Sequence, residues 1–176
     1  LYIDKTAYLH ALAHGSGKAY FLSRPRRFGK SLLLSAMQAY FQGERELFEG
    51  LALERLEEVW PEHPVIRLDL STVKTGDVEE LRELLDWVLK TQEDLFGRDQ
   101  QARTPGSRLY ALIQQASMQA DKQAVVLIDE YDAPLLNVTH DPDKLQLFRE
   151  VMREFYSPLK ACDELLRFVF ITGITR

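Results

Sequence analysis

The residues best suited to chemistry stand in two short segments that lie far apart in the chain. The first segment ends in Gly29-Lys30-Ser31, and the second is Asp129-Glu130. A lysine at the end of a glycine-containing loop can reach phosphate oxygens, while the hydroxyl of the next residue and a distant carboxylate can hold Mg²⁺. Together these groups indicate a site for a nucleotide and magnesium, with Ser31 and Asp129 as the predicted metal ligands.

The elements around Lys30 are those that such a site requires. An apolar strand is predicted over residues 19–23, and an apolar helix is predicted over residues 31–41. A strand, a short loop and a helix form a P-loop, in which backbone N–H groups and the helix N-terminus hold phosphates. The predicted nucleotide-binding residues are Arg24, Arg26, Arg27, Phe28, Gly29, Lys30, Ser31 and Leu32.

The loop itself departs from the usual pattern, because Arg24 stands where the opening glycine is expected. Pro25 also removes one N–H donor. Guanidinium groups can compensate, since arginine makes bidentate, charge-assisted bonds to phosphate. Two alternatives stay open for the three arginines of the loop: structural pairing with a carboxylate (Asp69, Asp129 or Asp132) and contact with a nucleic-acid backbone.

The second segment closes a run of aliphatic residues over 124–128. Such a run suits a parallel strand that is covered on both faces. Carboxylates at its end emerge where open α/β sheets bind ligands. Glu130 is then placed to activate a water molecule as a catalytic base, whereas the alternative is that Asp129 and Glu130 only cap the next turn.

The whole chain predicts an α/β fold with a mainly parallel sheet flanked by helices, because strands and helices alternate. Further strands are predicted over 65–71 and 167–172, and residues 44–60 are predicted to form short helical turns. The predicted helices are 5–13 with Asp4 as cap, 31–41, one opened by Asp77 and Glu80, one opened by Thr104-Pro105, and 143–156.

The order of these elements favours one division of the P-loop NTPases, the additional-strand, catalytic-glutamate type. Residues 65–71 intervene along the chain between the P-loop strand and the Asp129 strand, and Glu130 follows Asp129 directly. In that division a polar residue ends the next strand and senses the γ-phosphate. Thr172 holds this position and is the second predicted catalytic residue; the alternative is a strand-end hydroxyl that is merely satisfied by hydrogen bonds.

Composition sets limits on the function. The chain has 176 residues, 28% of them charged and 45% hydrophobic, which fits one globular domain with a proper core. A net charge of −5 argues against a surface devoted to nucleic acid. We see no signal peptide and no apolar stretch long enough to span a bilayer, and with Cys162 as the only cysteine we expect a cytoplasmic protein.

The four histidines do not suggest a metal site. His10, His14, His63 and His140 have no nearby cysteine and no evident ligand spacing, so the sequence predicts no zinc. Cys162 is expected to be a structural thiol.

Several segments resemble the AAA-ATPase-like domain family over nearly the whole length of the chain. They are Tyr2-Ile3-Asp4-Lys5-Thr6, the loop from Phe21 to Ser31, Phe41-Gln42-Gly43 with Leu47-Phe48-Glu49-Gly50-Leu51, Ile128-Asp129-Glu130-Tyr131-Asp132, and Phe170-Ile171-Thr172-Gly173-Ile174-Thr175. The resemblance implies that the arginine-rich loop is the normal form of the P-loop in this family. It also implies a C-terminal nuclease-like domain of the restriction-endonuclease fold, so we expect residues 1–176 to be one ATPase-like domain of a longer chain.

The resulting functional expectation is Mg-dependent ATP binding with hydrolysis that controls an attached domain or partner. The alternative is a nucleotide-gated interaction module, or one associated with nucleic acid, with little turnover. Glu130 favours the first, because a binding module has no chemical need of a base beside Asp129. An arginine finger is not evident, although Arg176 follows the last strand.

Overall fold

A computed structural model describes residues 4–25, 27–71 and 76–174. The helices are α1 (Thr6–Ala13), α2 (Lys30–Phe41), α3 (Ala52–Leu56), α4 (Val78–Phe96), α5 (Pro105–Ala120), α6 (Ala133–Leu136) and α7 (Pro142–Ala161), with 3₁₀ turns at Arg45–Phe48 and Asp163–Leu165. The strands are β1 (Ala19–Ser23), β2 (Val65–Asp69), β3 (Ala124–Asp129) and β4 (Leu166–Gly173).

The four strands form a single sheet in the order β1-β4-β3-β2, and every neighbouring pair is parallel. The predicted α/β fold with a parallel, helix-flanked sheet is therefore confirmed. In the sheet, β4 lies between the strand that leads into the Lys30 loop and the strand that ends in Asp129. Because all strands run the same way, their carboxyl ends share one edge of the sheet.

Alternation along β3 sends its side chains into two separate cores, one on each face of the sheet. Ala124, Val126 and Ile128 pack with α4, α5 and α7, whereas Val125 and Leu127 pack with α1, α2 and α3. This period of two explains why the strand is apolar at every position and fully buried.

Side-chain caps that are evident in the sequence fix the starts of three helices. Asp77 accepts a hydrogen bond from the Glu80 N–H at the start of α4. Thr104 and Ser107 form a reciprocal capping box at the start of α5, which has Pro105 in its first turn. Asp141 caps α7 in the same way, by accepting a bond from the Lys144 N–H.

The structure differs from the sequence-based expectation in several places. Strand β2 ends at Asp69, so it is shorter than the predicted 65–71. Helix α7 runs to Ala161 and contains Pro158, so it is longer than the predicted 143–156. The chain after β3 contains the short helix α6, which was not among the predicted helices. Asp4 lies two residues before α1 and accepts bonds from the backbone and hydroxyl of Thr6, so the helix begins one residue later than predicted.

Within residues 4–25, 27–71 and 76–174, no helix has both the length and the apolar character that crossing a membrane requires.

Candidate functional site

Lys30 is the buried centre of the loop that joins β1 to α2. Its side chain is almost fully buried, although it is charged and stands at the first position of the helix. The ammonium group donates hydrogen bonds to the carbonyl oxygens of Arg24 at 2.9 Å and Pro25 at 3.2 Å. The loop therefore curls around its own lysine and holds the cation at the edge of the sheet.

The backbone of the loop shows how a sequence with Arg24 in the first position can still turn. The Arg24 N–H donates to the carbonyl of Gly173, which extends the pairing of β1 with β4 by one residue. Left-handed backbone conformations occur later, at Arg27 (φ 65°) and Gly29 (φ 75°). The turn is thus made at Arg27, where a non-glycine residue bears the strain, and Gly29.

Open space lies beside Gly29. A Cβ atom built at this glycine would meet no other atom within 4 Å. Arg24, Arg27, Phe28, Ser31 and Leu32 are all exposed around it. Open space beside a buried cation and the N-terminus of α2 suits an anionic group such as a phosphate.

Asp129 and Thr172 form a buried polar pair at the neighbouring strand ends. The Thr172 hydroxyl donates to Asp129 Oδ1 at 2.6 Å and accepts a bond from the Glu130 N–H at 3.1 Å. Both side chains have exposures of 1% or less. Because alternation places residues 125, 127 and 129 on one face, Asp129 belongs to the face covered by α2.

Glu130 leaves the strand and turns toward Lys30. Its φ of 50° is left-handed, and its Oε1 lies 3.7 Å from the Lys30 Nζ. Glu130 is not in extended conformation, so its side chain does not follow the alternation of β3. The strained backbone brings the carboxylate to the loop instead.

The segment after Glu130 packs against the end of β4. Asp132 is buried and accepts the Ile174 N–H, with the shorter of two contacts at 2.9 Å. A Cβ at Gly173 would come within 2.5 Å of the Tyr131 ring and 2.9 Å of an Asp132 oxygen. Gly173 is therefore required for close approach of the two segments, which both lie in motifs singled out from the sequence.

Most predicted site residues are thus found around one strand edge. The β1–α2 loop brings Arg24, Arg27, Phe28, Gly29, Lys30, Ser31 and Leu32 together, and Lys30 meets Glu130, which neighbours Asp129 and Thr172. Arg26 lies outside the described residues, as does Arg176. Among ion pairs between described residues, none involves Arg24 or Arg27.

The candidate site contains oxygen atoms that could bind a magnesium ion beside a nucleotide. Mg²⁺ prefers hard oxygen ligands and keeps several waters. The exposed Ser31 hydroxyl and the buried Asp129 carboxylate are oxygen donors of this kind. The residues present therefore fit a magnesium ion next to a phosphate chain.

Two features escaped the reading of the sequence. Asp4 and Thr6 bind the start of α3 by accepting the N–H groups of Ala52 and Leu53. His10 and His14 lie next to each other with Glu57, although the sequence had been taken to show no ligand spacing. The signal that was missed is the spacing of four positions between His10 and His14, which places both side chains on one face of a helix.

The comparisons with known proteins agree with the resemblance. A sequence model of the AAA-ATPase-like family, described as "Predicted AAA-ATPase", matches residues 1–176. A protein from Azotobacter chroococcum mcd 1, named "Uncharacterized protein in vnfD 5'region", is 34% identical over 175 residues. The alignment covers 99% of this chain and 34% of that protein, so the chain spans about a third of the length of this relative.

The family match covers the Lys30 loop, the Asp129-Glu130 strand end and the Thr172 strand end alike. The family description indicates ATP binding. The chain belongs to the AAA-ATPase-like family of predicted AAA-ATPases.

Proposed function

We propose that this protein binds ATP with Mg²⁺ in the β1–α2 loop and hydrolyses it. The observation that carries the proposal is the 3.7 Å approach of Glu130 Oε1 to Lys30 Nζ. This contact joins Lys30, which stands where P-loops place their phosphate-binding lysine, to the Glu130 carboxylate at the end of β3. A lysine that only stabilised its own loop would need no such partner.

The sheet order supports the additional-strand, catalytic-glutamate division of the P-loop NTPases. Insertion of β4 between β1 and β3 leaves a gap of one strand between the loop and Asp129-Glu130. The end of β4, which carries Thr172, therefore lies between the proposed phosphate-binding loop and the two carboxylates. A nucleotide at this edge follows the general rule for ligands of open α/β sheets.

Binding is an exchange of partners at Lys30. Its ammonium group leaves the carbonyls of Arg24 and Pro25 and takes phosphate oxygens, which are charged and therefore stronger acceptors. The N-terminus of α2 and the N–H groups around Gly29 face the same phosphates. The exposed guanidinium groups of Arg24 and Arg27 are free to fold over them.

The carboxylates have different tasks in hydrolysis. Magnesium, when bound, neutralises charge on the phosphate chain, with Ser31 and Asp129 as its ligands. Thr172 holds Asp129 in place through the 2.6 Å hydrogen bond. Glu130 orients the attacking water and takes up its proton, and movement of Lys30 to the phosphates releases Glu130 for this task.

We further propose that turnover controls an attached domain. The relative from Azotobacter is about three times as long as the stretch that this chain aligns with. A nuclease-like domain is the attachment implied by the resemblance, and nucleic acid is then a candidate partner. In this proposal, the switch consists of the β1–α2 loop and the ends of β3 and β4, whose contacts change when ATP binds.

Calorimetric titration of the full-length protein with ATP and MgCl₂ tests the binding step. Lys30→Ala removes a charge-assisted contact and should weaken ATP binding by about 2 kcal/mol or more. Lys122→Ala is the matched control, because Lys122 is half-exposed and lies before β3, at the opposite end of the sheet. Equal ATP affinity in the parent and Lys30→Ala would refute the proposed site.

A further inference from the structure

A second cluster of ligand-type side chains lies on α1 and just after α3. His10 and His14 stand one turn apart, with ring centroids 4.3 Å from each other. Glu57 follows α3 directly and is 8% exposed. One ligand atom from each of the three residues lies within 4.8 Å of the other two.

The chemistry of these groups differs from that of the magnesium site. Two imidazoles and one carboxylate form a borderline set of nitrogen and oxygen donors, which suits Zn²⁺ and related transition metals. Mg²⁺ prefers oxygen ligands alone. A tetrahedral zinc ion with bonds of about 2.0–2.1 Å needs ligand atoms roughly 3.3 Å apart, so only small side-chain rotations are required.

The Glu57 carboxylate is already held in place by a neighbour. Its Oε2 accepts a hydrogen bond from the Tyr40 hydroxyl and lies 2.8 Å from His14 Nε2. A hydroxyl that binds a metal-ligating carboxylate fixes its orientation and is a common companion of metal sites. Tyr40 is itself 2% exposed and belongs to α2.

The two elements that supply the ligands are fixed to each other independently of the cluster. Asp4 accepts the Ala52 N–H at 2.7 Å, and the Thr6 hydroxyl accepts the Leu53 N–H at 3.0 Å. These bonds join the start of α1 to the start of α3, while the histidines and Glu57 lie at the other ends of the same helices. A site on two docked helices loses little entropy when a metal binds.

We propose that His10, His14 and Glu57 bind one transition-metal ion, with Zn²⁺ as the best match, and that the ion joins α1 to the end of α3. Three protein ligands leave a fourth coordination position for water, and the half-exposed His14 gives solvent a path to it. The site is distinct from the ATP site, because Tyr40 and Lys30 are ten residues apart on α2, or about 15 Å.

Titration of the untagged, metal-free full-length protein with CoCl₂ tests the assignment, because tetrahedral Co²⁺ absorbs strongly in the visible range. We expect one ion per chain, and ZnCl₂ should displace it and abolish the absorption. His10→Gln should weaken Co²⁺ binding by about 100-fold, and Tyr40→Phe by about tenfold, because a ligand and its orienting hydroxyl are lost respectively. His140→Gln, on an exposed residue, should leave it unchanged.

Thermal unfolding gives a second readout. A hundredfold excess of Zn²⁺ over the parent's Kd should raise the Tm of the parent by about 5–10 °C and that of His10→Gln by only about 1–2 °C. Lys30→Ala should keep the cobalt spectrum, which separates this proposal from the ATP site. Equal Co²⁺ binding by the parent, His10→Gln and His14→Gln, or the absence of tetrahedral absorption in a folded parent, would overturn the assignment.

Discussion

The hydroxyl of Thr172 donates a 2.6 Å hydrogen bond to the carboxylate of Asp129, and neither side chain has appreciable contact with solvent. The same hydroxyl accepts the Glu130 N–H. One threonine therefore fixes both the predicted metal ligand and the backbone that turns Glu130 toward Lys30. This arrangement gives Thr172 a positioning role, whether or not it also contacts the γ-phosphate.

Thr172→Val should destabilise the fold and impair the site together. The replacement leaves the buried Asp129 carboxylate oxygen and the partly buried Glu130 N–H without the Thr172 hydroxyl, which should cost about 1–3 kcal/mol in the free energy of unfolding. Urea denaturation measures the loss. Thr172→Ser is the matched control because it keeps the hydroxyl, and it should remain close to the parent. If Thr172→Val were as stable as Thr172→Ser, the described pair would not stabilise the strand ends.

Arg27 offers a way to separate the backbone of the loop from its charge. Arg27→Lys keeps the charge but loses bidentate geometry, so ATP binding should weaken although the fold is unaffected. Arg27→Gly suits the left-handed φ of 65° and should weaken ATP binding without lowering the Tm. Calorimetry and thermal unfolding measure the two effects, with Arg45→Lys, on an exposed 3₁₀ turn, as control.

The arginine variants also test the nucleic-acid alternative. Unchanged ATP affinity in both Arg27 variants would rule out a phosphate contact by this side chain. If Arg27→Gly instead flattened the salt dependence of DNA binding by the full-length protein, the loop would serve nucleic acid.

Arg108 is a buried cation on α5, which packs on the face of the sheet opposite to α2. Its guanidinium donates to Glu93 at 2.7 and 2.8 Å and also to Asp86, and the Arg108 and Glu93 side chains are both nearly inaccessible. The Glu93 and Asp86 carboxylates raise the pKa of Arg108 against the opposing effect of burial, so it stays charged. Arg108→Met should cost about 3–5 kcal/mol, because it leaves the buried Glu93 with only the longer, 3.8 Å contact to the half-exposed Arg98.

The exposed pair of Arg82 and Glu79 is the control for this prediction, and Arg82→Met should cost about 1 kcal/mol or less. The double variant Arg108→Met/Glu93→Leu should recover part of the lost stability. Chemical denaturation of the parent and the three variants measures these changes in the free energy of unfolding. A double variant that is no more stable than Arg108→Met would contradict the pairing.

His63 should make stability depend on pH. Burial lowers its pKa from 6.5, although a hydrogen bond to the Gln123 carbonyl opposes the shift. As the pH falls below about 6.5, the unfolded chain takes up a proton that the folded His63 resists, so the free energy of unfolding should decrease. The decrease should be smaller in His63→Gln than in the parent and the exposed control His140→Gln when denaturation is repeated from pH 8 to pH 5. Identical pH profiles for the parent and His63→Gln would contradict this.

The periodic pattern of apolar side chains and the helix-capping residues made most strands and helices predictable from the sequence. Residues 124–129 could be recognised as a central strand because every side chain is apolar until Asp129, and Asp77 and Thr104-Pro105 marked helix starts directly. The order of strands could not be read in this way, since pairing is a long-range property. The position of β4 between β1 and β3 emerges only from the packed structure.

Candidate site residues could be singled out where the signal is a local motif, but not where a contact depends on backbone conformation or on a separate helix. Lys30 and Asp129 could be identified by neighbouring residues of known type. The turn of Glu130 toward Lys30 could not, because it depends on a left-handed φ that is uncommon at a glutamate. The His10, His14 and Glu57 cluster was missed because Glu57 comes from a separate helix, although the two histidines had helical spacing.

The central claim is tested most directly by ATP hydrolysis in Glu130→Gln, with ATP affinity measured on the same samples. This variant keeps the shape of the side chain and removes the base near Lys30. The account predicts that phosphate release from the full-length protein falls by roughly 100-fold or more, while ATP affinity is unchanged or somewhat higher. Glu164→Gln, on an exposed residue far from the loop, should hydrolyse ATP like the parent. A Glu130→Gln protein that releases phosphate at the parent rate, or a parent that binds ATP without hydrolysing it, would contradict the account and favour a nucleotide-gated binding module.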